Sequence, residues 1–190
     1  MVANKISLAL QSRLPRNITG NYHTPAAVLM PIQERDDGDY LVLTKRAEHL
    51  NRHSGQIAFP GGRIDAGDSG ALAAALRESQ EEIGLDPAQV KVLGRIDQVM
   101  AAYGYVVTPF VGLIPPAYEF RPNPAETAAV FAVPIDALLE PGNVSLVDHG
   151  WSNGATVYHF QYDHWDIWGA TANMIVQFLD LIYGYRVPKN

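Results

Sequence analysis

The first half of the chain contains short apolar runs separated by residues that favour turns. Residues 25–32 (PAAVLMPI) and residues 40–45 (YLVLTK) are short and largely apolar, which is typical of buried β-strands. The intervening segment 36–39 (DDGD) is rich in aspartate and glycine, so we expect it to form a turn. A polar, glycine-rich loop follows over residues 46–69, broken by the short apolar piece 56–59. The pattern predicts two strands joined by a turn and followed by a long loop.

Helical periodicity is clearest over residues 71–83. The residues expected on its buried face recur at intervals of three and four: Ala71, Leu72, Ala75, Leu76, Ser79 and Ile83. Asp68 or Ser69 is expected to cap the start of this helix, because a side-chain oxygen can accept a bond from a first-turn N–H. Gly84 is expected to end it, because glycine adopts the left-handed conformation without steric cost.

The remaining pattern predicts an α/β domain, classed as α+β by some schemes. Further strands are predicted at 90–99, 106–114, 129–133 and 156–162, and further helices at 135–139 and 169–183. Residues 1–20 predict an amphipathic N-terminal extension with a short helix that ends near Pro15 and has the apolar positions Ile6, Leu8, Leu10 and Leu14. Strands with helices interspersed form layered domains, and the length of 190 residues predicts one domain over 1–190.

Composition and charge narrow the classes of function. The formal charge of −6 and the isoelectric point near 5.4 argue against nucleic acid or an anionic membrane surface as a partner. No apolar run approaches the roughly 20 residues needed to span a bilayer, and the N-terminus lacks the apolar run of a signal peptide. The absence of cysteine excludes disulfides, thiolate metal sites and a cysteine nucleophile. These features fit a cytoplasmic protein, and phosphorylated small molecules remain possible ligands because a local cation or arginine can reverse the local field.

Three glutamates lie near the end of the predicted helix 71–83. Glu78, Glu81 and Glu82 are spaced by three and four residues, so they project from one side of the helix. Like charges at this spacing destabilise a helix by about 0.2–0.5 kcal/mol per pair. A divalent cation would offset the repulsion, and oxygen-only ligands favour Mg²⁺ or Mn²⁺ over zinc. The alternative is a solvated acidic face on which Arg77 pairs with Glu81.

The loop before this helix contains Phe59-Pro60-Gly61-Gly62 and the acidic residues Asp65 and Asp68. Consecutive glycines permit conformations that are closed to other residues and let the main chain approach a ligand or an ion. A main-chain carbonyl of the loop is therefore a candidate metal ligand beside the glutamates. An ordinary tight turn also explains this loop sequence.

Together, the loop and the helix resemble the Nudix box. The box is a glycine, five residues, an acid, seven residues and then Arg-Glu-hydrophobic-any-Glu-Glu-any-Gly-hydrophobic. This chain matches it at Gly62, Arg77, Glu78, Glu81, Glu82, Gly84 and Leu85. The early acid differs, because Asp68 lies nine residues before Arg77 instead of eight, and Ser79 stands at the hydrophobic position. In the family the early acid orients the arginine, so the resemblance implies that Asp65 or Asp68 partners Arg77.

A narrower resemblance is to the coenzyme A (CoA) diphosphatase group of the Nudix hydrolases. It is carried by residues 43–47 (LTKRA), Leu50, His53, Gly55, 59–62 (FPGG), 104–109 (GYVVTP) and 168–172 (WGATA). That group also has the displaced aspartate and the extra residue. It usually has arginine where this chain has Asn51, and the neighbouring Arg52 is expected to point to the opposite side of an extended segment.

The resemblance implies a fold and a reaction. The fold is a Nudix-type α/β/α sandwich with a mixed β-sheet between helices, and relatives of this fold often form homodimers. The reaction is metal-dependent hydrolysis of a diphosphate bond, which in CoA gives 4′-phosphopantetheine and adenosine 3′,5′-bisphosphate. The implied ligands of one to three Mg²⁺ or Mn²⁺ ions are Glu78, Glu82 and Glu81.

Substrate-binding and catalytic roles follow from the same resemblance. The predicted substrate-binding residues are Arg46, Arg52, Gly61, Gly62 and Tyr105. Guanidinium groups match phosphate geometry, although a structural salt bridge is the competing explanation for each arginine. Arg77 is predicted to orient the glutamates, and Glu81 is a candidate general base unless metal ligation occupies it. Glu126 is a second candidate base, because a glutamate distant from the box often reaches the metal cluster in this fold; a plain surface position is the alternative.

Other interpretations stay open from the sequence. Tyr103 and Tyr105 flank a glycine and either contact the substrate or simply pack, while His53 is a structural residue or lies near the site. Trp165 and Trp168 are expected in the core. The enzyme could instead hydrolyse ADP-ribose, NADH or a nucleotide sugar. A nucleoside triphosphatase of the mutator type and a non-catalytic nucleotide sensor are further alternatives, although sensors usually lose one or more of the glutamates present here.

Overall fold

A computed structural model describes residues 2–20, 23–50, 53–149 and 156–187. Within these ranges, the helices are α1 (Val2–Gln11), α2 (Ala71–Ile83), α3 (Ile135–Leu139) and α4 (Gly169–Tyr183). The strands of the same ranges are β1 (Thr24–Arg35), β2 (Gly38–Arg46), β3 (Ile57–Ala58), β4 (Gly61–Arg63), β5 (Lys91–Arg95), β6 (Val99–Ala101), β7 (Tyr105–Ile114), β8 (Thr127–Pro134), β9 (Val144–Asp148), β10 (Thr156–Tyr162) and β11 (Trp165–Trp168).

A mixed β-sheet forms the centre of the fold. Its strand order is β3-β2-β1-β7-β5, and β1 and β7 are parallel over their length, from the pair Thr24↔Tyr105 to the pair Gln33↔Ile114. The other pairings are antiparallel and include β4 on β1, β6 on β7 and β8 on β2. β9, β10 and β11 form a second, antiparallel sheet.

Helices cover both faces of the central sheet. Because successive side chains of a strand point to opposite faces, β1 contributes to two separate apolar clusters. One cluster lies under α2 and contains Ala27, Leu29, Ala74, Ala75, Ile83 and Leu85. The other lies under α1 and α4 and contains Ala26, Val28, Met30, Ile6, Ile175 and Phe178. This layering confirms the predicted mixed α/β architecture with a sheet between helices.

Helix α2 has the predicted bounds and the predicted end. Gly84 has φ 68° and ψ 21°, and its N–H donates to the carbonyl oxygen of Gln80 at 2.9 Å. The predicted cap is wrong, because the residue before the helix is Gly70 and no side chain caps the first turn. Asp68 does not cap the helix because its carboxylate bonds to Arg77 and to the N–H of Asp65 instead.

The N-terminal helix is shorter than predicted. α1 ends at Gln11, and its buried side chains are Val2, Ala3, Ile6 and Leu10. Leu8 is 74% exposed because it lies about 200° around the helix from Ile6, on the opposite face. Leu14 was predicted to belong to the helix, but it lies beyond the helix end and is 93% exposed.

Some strands differ from the predicted pattern. The predicted strand 90–99 is two strands, β5 and β6, and the intervening Asp97 and Gln98 hold the N-terminal segment. The Arg16 N–H donates to Asp97 at 2.7 Å, and the Ile18 N–H donates to Gln98 at 2.8 Å. β9 and β11 were not predicted, and the long polar loop contains the short strands β3 and β4. No helix within the described ranges is long and apolar enough to cross a membrane.

Candidate active site

The glycine-rich loop lies directly against β1 and helix α2. Strand β4 pairs with β1 through Ala27↔Gly62 and Val28↔Gly61. Gly61 has φ 152°, and a Cβ on it would lie 2.3 Å from the carbonyl oxygen of Ala27. A Cβ on Gly62 would lie 2.5 Å from Cδ of Glu78. Gly61 is therefore required for the main chain to pack against β1, and a side chain at position 62 would displace the Glu78 carboxylate.

Arg77 connects the loop to two of the helix glutamates. Its Nε and Nη2 donate to the two oxygens of Asp68 at 3.0 and 3.1 Å. Its Nη1 donates to Glu78 at 2.9 Å and to Glu81 at 3.0 Å. Nη2 also donates to the carbonyl oxygen of Arg63 at 3.2 Å. The guanidinium thus bridges both glutamates to the loop.

Asp68 rather than Asp65 is the main partner of Arg77. Asp68 accepts two bonds in a bidentate arrangement, whereas the nearest oxygen of Asp65 is 3.8 Å from Nη2 of Arg77. The hydrogen bonds from Arg77 hold the pKa of Asp68 below its usual value. The hydrogen bonds to Asp68 and, to a smaller extent, the hydrogen bond to Glu78 hold the pKa of Arg77 well above its usual value. The nine-residue spacing therefore supports a permanently charged pair.

Glu82 is the buried carboxylate of the acidic face. It is 4% exposed and accepts a hydrogen bond from the Gly61 N–H at 3.1 Å. Nη1 of Arg46 lies 3.4 Å from its other oxygen. Burial raises the pKa of Glu82 to about 7; the Gly61 bond and the Arg46 charge oppose this shift, while the charges of Glu78 and Glu126 add to it. This carboxyl can therefore gain or lose a proton near neutral pH.

Glu78 and Glu81 differ in environment although they share Arg77. The side chain of Glu78 is 17% exposed, whereas that of Glu81 is 54% exposed. Burial raises the pKa of Glu78, the bond from Arg77 opposes this shift, and the charges of Glu81 and Glu126 add to it. The acidic face therefore presents one solvated and two partly desolvated carboxylates.

The structure places Glu126 beside this face. Asn123 connects the two, because its N–H donates to the Glu82 carbonyl at 2.9 Å and its carbonyl accepts from the Glu126 N–H at 3.0 Å. On the other side, the Ala47 N–H donates to the Glu126 carbonyl at 2.9 Å. The charge of Glu126 raises the pKa of both Glu78 and Glu82, so its carboxylate is within electrostatic range of both.

A cavity of about 740 Å³ opens beside the glycine-rich loop. Of the predicted substrate-binding residues, Arg46, Gly61, Gly62 and Tyr105 all line it. Arg46 also forms an ion pair with Glu82, so the salt bridge that was the competing explanation for this residue is present. Its buried Nε has no hydrogen-bond partner among the described residues. Arg52 and Asn51 lie outside the described residues.

Helix α4 contributes a wall of the cavity that was assigned no role from the sequence. Trp168 lines the cavity instead of lying fully in the core, and Asn173 and Met174 lie beside it. Thr171 ties this wall to β3, because its hydroxyl donates to the Ile57 carbonyl at 3.0 Å. The segment 168–172 was a signal for this wall, because it carried part of the family resemblance.

Comparison with known proteins identifies the family. Residues 23–149, about two thirds of the chain, match the family model described as the NUDIX domain. The chain belongs to the Nudix family. It is 42% identical over 151 residues to a protein of Salmonella paratyphi B named "uncharacterized Nudix hydrolase NudL", covering 79% of this chain and 78% of that protein. The chain is therefore a Nudix hydrolase, an enzyme that acts on a diphosphate bond.

Solved Nudix structures share the fold at low sequence identity. The Ap4A hydrolase of C. elegans, in a binary complex, superposes with a TM-score of 0.51 at 16% identity, over 58% of this chain and 80% of its own. The Nudix domain of Shewanella oneidensis NrtR, in complex with ADP-ribose, superposes with a TM-score of 0.51 at 19% identity, over 63% of this chain and 78% of its own. These similarities show the common architecture alone.

Nudix hydrolases generally use divalent metal ions, and the acidic face has a donor set of the right kind. Across the described part of the chain, no three acidic or histidine side chains converge as a closed ligand set, and Glu78 and Glu81 both accept hydrogen bonds from Arg77. The buried Glu82 and the partly buried Glu78, both with raised pKa values, would gain from a cation that stabilises their charged forms. Such an oxygen-only set fits Mg²⁺ or Mn²⁺.

Proposed function

We propose that this Nudix hydrolase cleaves the diphosphate bond of coenzyme A or of CoA derivatives. The products are 4′-phosphopantetheine and adenosine 3′,5′-bisphosphate. In the reaction, the oxygen of a water molecule forms a bond to one phosphorus while the bond between that phosphorus and the bridging oxygen breaks. The bridging oxygen leaves with the other phosphate, and one proton of the water goes to a carboxylate.

One observation carries the choice of substrate. The segments that resemble the CoA diphosphatase group form three stretches (43–62, 104–109 and 168–172) that are far apart in the sequence, and residues of all three line the 740 Å³ cavity. The lining residues Arg46, His53, Phe59, Gly61 and Gly62 come from the first stretch, Tyr105 and Val107 from the second, and Trp168, Gly169, Ala170 and Thr171 from the third. A resemblance spread over unrelated surfaces would reflect packing alone. A resemblance gathered around one cavity supports a shared ligand.

The cavity has the chemistry that a large diphosphate ester requires. Its volume lies in the upper part of the range of about 300–1,000 Å³ typical of small-molecule sites. Arg46 stands where the cavity meets Glu82, so its guanidinium can bind a phosphate oxygen next to the acidic face. The apolar wall from Ile57, Val107 and Met174 suits a pantetheine arm. The cavity is thus lined both by the charged Arg46 and by an apolar wall.

In the proposed mechanism, the residues of the acidic face bind and orient. Glu78 and Glu82, with Glu81, would hold Mg²⁺ or Mn²⁺. Arg77 donates hydrogen bonds to Glu78 and Glu81, and the Gly61 N–H donates one to Glu82. When bound, a divalent cation would neutralise the diphosphate charge and lower the pKa of a coordinated water.

Two carboxylates are candidates for the general base. Glu81 is exposed, but one of its oxygens accepts a bond from Arg77. Glu126 is held by main-chain bonds through Asn123 and Ala47 and lies within electrostatic range of Glu78 and Glu82. Glu81→Gln and Glu126→Gln separate the two, because the variant that lacks the base loses kcat by about 10²–10⁴-fold.

A substrate panel tests the proposal. With Mg²⁺, we expect kcat/KM for CoA to exceed the values for ADP-ribose, NADH and nucleotide sugars. Equal or better turnover of ADP-ribose would overturn the CoA assignment and leave the diphosphatase activity intact. Release of pyrophosphate from nucleoside triphosphates would indicate a mutator-type enzyme. Nucleotide binding without hydrolysis of any of these compounds, with either metal, would indicate a sensor.

A further inference from the structure

Two aromatic side chains contact each other at the 740 Å³ cavity. His53 lies in the glycine-rich loop, before β3, and Tyr103 lies in the turn before β7, so the two come from separate loops. Their ring centroids are 5.1 Å apart and their planes cross at 87°, an edge-to-face arrangement. Both residues line the cavity. The fold therefore brings two rings together at the site without either of them entering the core.

The backbone at both rings has an unusual conformation. His53 has φ 55° and Tyr103 has φ 60°, a left-handed region that residues other than glycine rarely adopt. The His53 ring is held in place, because its Nδ1 bonds to Oε1 of Gln56 at 2.7 Å. Unfavourable backbone conformations persist where the surroundings fix them, and they cluster at ligand-binding sites. Two of them on facing loops indicate that the position of the ring pair is specified.

Exposure distinguishes this pair from core aromatics. Tyr103 is 66% exposed, whereas Phe59 of the same cavity wall is 2% exposed. A large exposed ring beside a cavity offers a flat face to a ligand, and a nucleobase is the flat group of a nucleotide diphosphate. Base–aromatic stacking tolerates different bases because every base has a π-face. A flexible thioester or pantetheine arm gains less from a ring face than a base does.

We propose that the Tyr103 ring is the stacking platform for the nucleobase of the substrate, and that His53, whose ring plane crosses it at 87°, fixes the position of that ring. This inference rests on the proposed function, because it assigns the adenine end of CoA to the Tyr103 side of the cavity. The apolar wall at α4 is then left for the pantetheine arm, and the diphosphate lies between them at Arg46 and the glycine-rich loop. In this arrangement Tyr103 binds the base and His53 positions the Tyr103 ring, and neither takes part in the chemical step.

The test measures binding of AMP and of ribose 5-phosphate, which differ only by the base, using calorimetry with Mg²⁺ present. We expect the parent protein to bind AMP more tightly than ribose 5-phosphate. Tyr103→Asn removes the ring and retains a residue that tolerates positive φ. It should weaken AMP binding by about 5- to 100-fold, the loss typical of one stacked base. Ribose 5-phosphate binding should change less than twofold.

Matched variants exclude a general loss of structure. Tyr103→Phe keeps the ring and should retain AMP affinity within twofold. His53→Asn should weaken the binding of AMP but not that of ribose 5-phosphate, and Leu14→Ala should leave the binding of both ligands unchanged. The inference is overturned if Tyr103→Asn leaves AMP affinity unchanged, if it weakens both ligands equally, or if the parent binds the two ligands equally well. Hydrolysis of CoA is measured separately: selective AMP binding without CoA hydrolysis would remove the proposed function and leave the stacking platform standing.

Discussion

Replacing Glu82 by glutamine should separate stability from catalysis. Glu82 is 4% exposed, and burial raises its pKa from the usual 4.5 to about 7 in the folded protein. The folded state therefore binds the proton more tightly than the unfolded state does. Stability from this group is fully present below pH 4.5 and is lost as the pH rises to 7, so above pH 7 the charged carboxylate destabilises the metal-free fold.

The magnitude follows from the size of the pKa shift. A shift from 4.5 to about 7 corresponds to about 3 kcal/mol at 1.36 kcal/mol per pKa unit. Glutamine has nearly the same shape, carries no charge, and its carbonyl oxygen can still accept the bond from Gly61. We therefore expect Glu82→Gln to raise the free energy of unfolding of the metal-free protein by about 2–3 kcal/mol at pH 8 and by less than about 1 kcal/mol at pH 5.

Urea unfolding at pH 5 and pH 8 in the presence of a chelator measures this difference. Glu81→Gln is the matched control, because Glu81 is 54% exposed and its exposed ion pair should contribute less than about 1 kcal/mol. Adding Mn²⁺ at pH 8 should stabilise the parent and not Glu82→Gln. A Glu82→Gln protein that is equally or less stable than the parent at pH 8 would refute the reasoning.

Three further substitutions probe the loop, the arginine and the substrate. Arg77→Lys retains the positive charge but not the guanidinium fork that binds Asp68. We expect kcat/KM to fall by about 10- to 100-fold while the melting temperature stays within a few degrees, and an unchanged kcat/KM would contradict the positioning role. Gly61→Ala places a Cβ 2.3 Å from a backbone oxygen and should lower the free energy of unfolding by at least about 1–3 kcal/mol. Gly67→Ala is the control, because a Cβ there meets nothing within 4 Å and stability should hardly change. Equal melting temperatures of the two variants would contradict this expectation. Asn51→Arg should raise kcat/KM for CoA relative to its 3′-dephospho form, and an unchanged ratio would exclude a role for position 51 in 3′-phosphate binding.

The acidic helix was predictable because its signals are local. The apolar period of α2, the glycine at its end and the spacing of Glu78, Glu81 and Glu82 are all read within 15 residues of sequence. The main error there, the cap, arose from competition: Asp68 is a good capping residue, but the guanidinium of Arg77 offers it two charge-assisted bonds. The sequence alone does not show whether Asp68 will bond to a nearby first-turn N–H or to an arginine two turns along the helix, because that choice depends on the fold.

The cavity was less predictable because its walls are assembled over long sequence distances. The contact between His53 and Tyr103 depends on the paths of two loops, and Trp168 reaches the cavity only because β11 and α4 pack beside β3. Likewise, the period of apolar residues in α1 did not separate Leu8 from Ile6, since which face is buried depends on where β5 and α4 lie. Pairing between strands such as β9 and β10 gives no local signal either.

Product analysis of CoA hydrolysis in ¹⁸O-labelled water tests the central claim most directly. With Mg²⁺ or Mn²⁺, mass spectrometry should detect 4′-phosphopantetheine and adenosine 3′,5′-bisphosphate, with one ¹⁸O atom in one of the two, and Glu82→Gln should give neither product. Intact CoA under conditions in which ADP-ribose, NADH or a nucleotide sugar is cleaved would contradict the account.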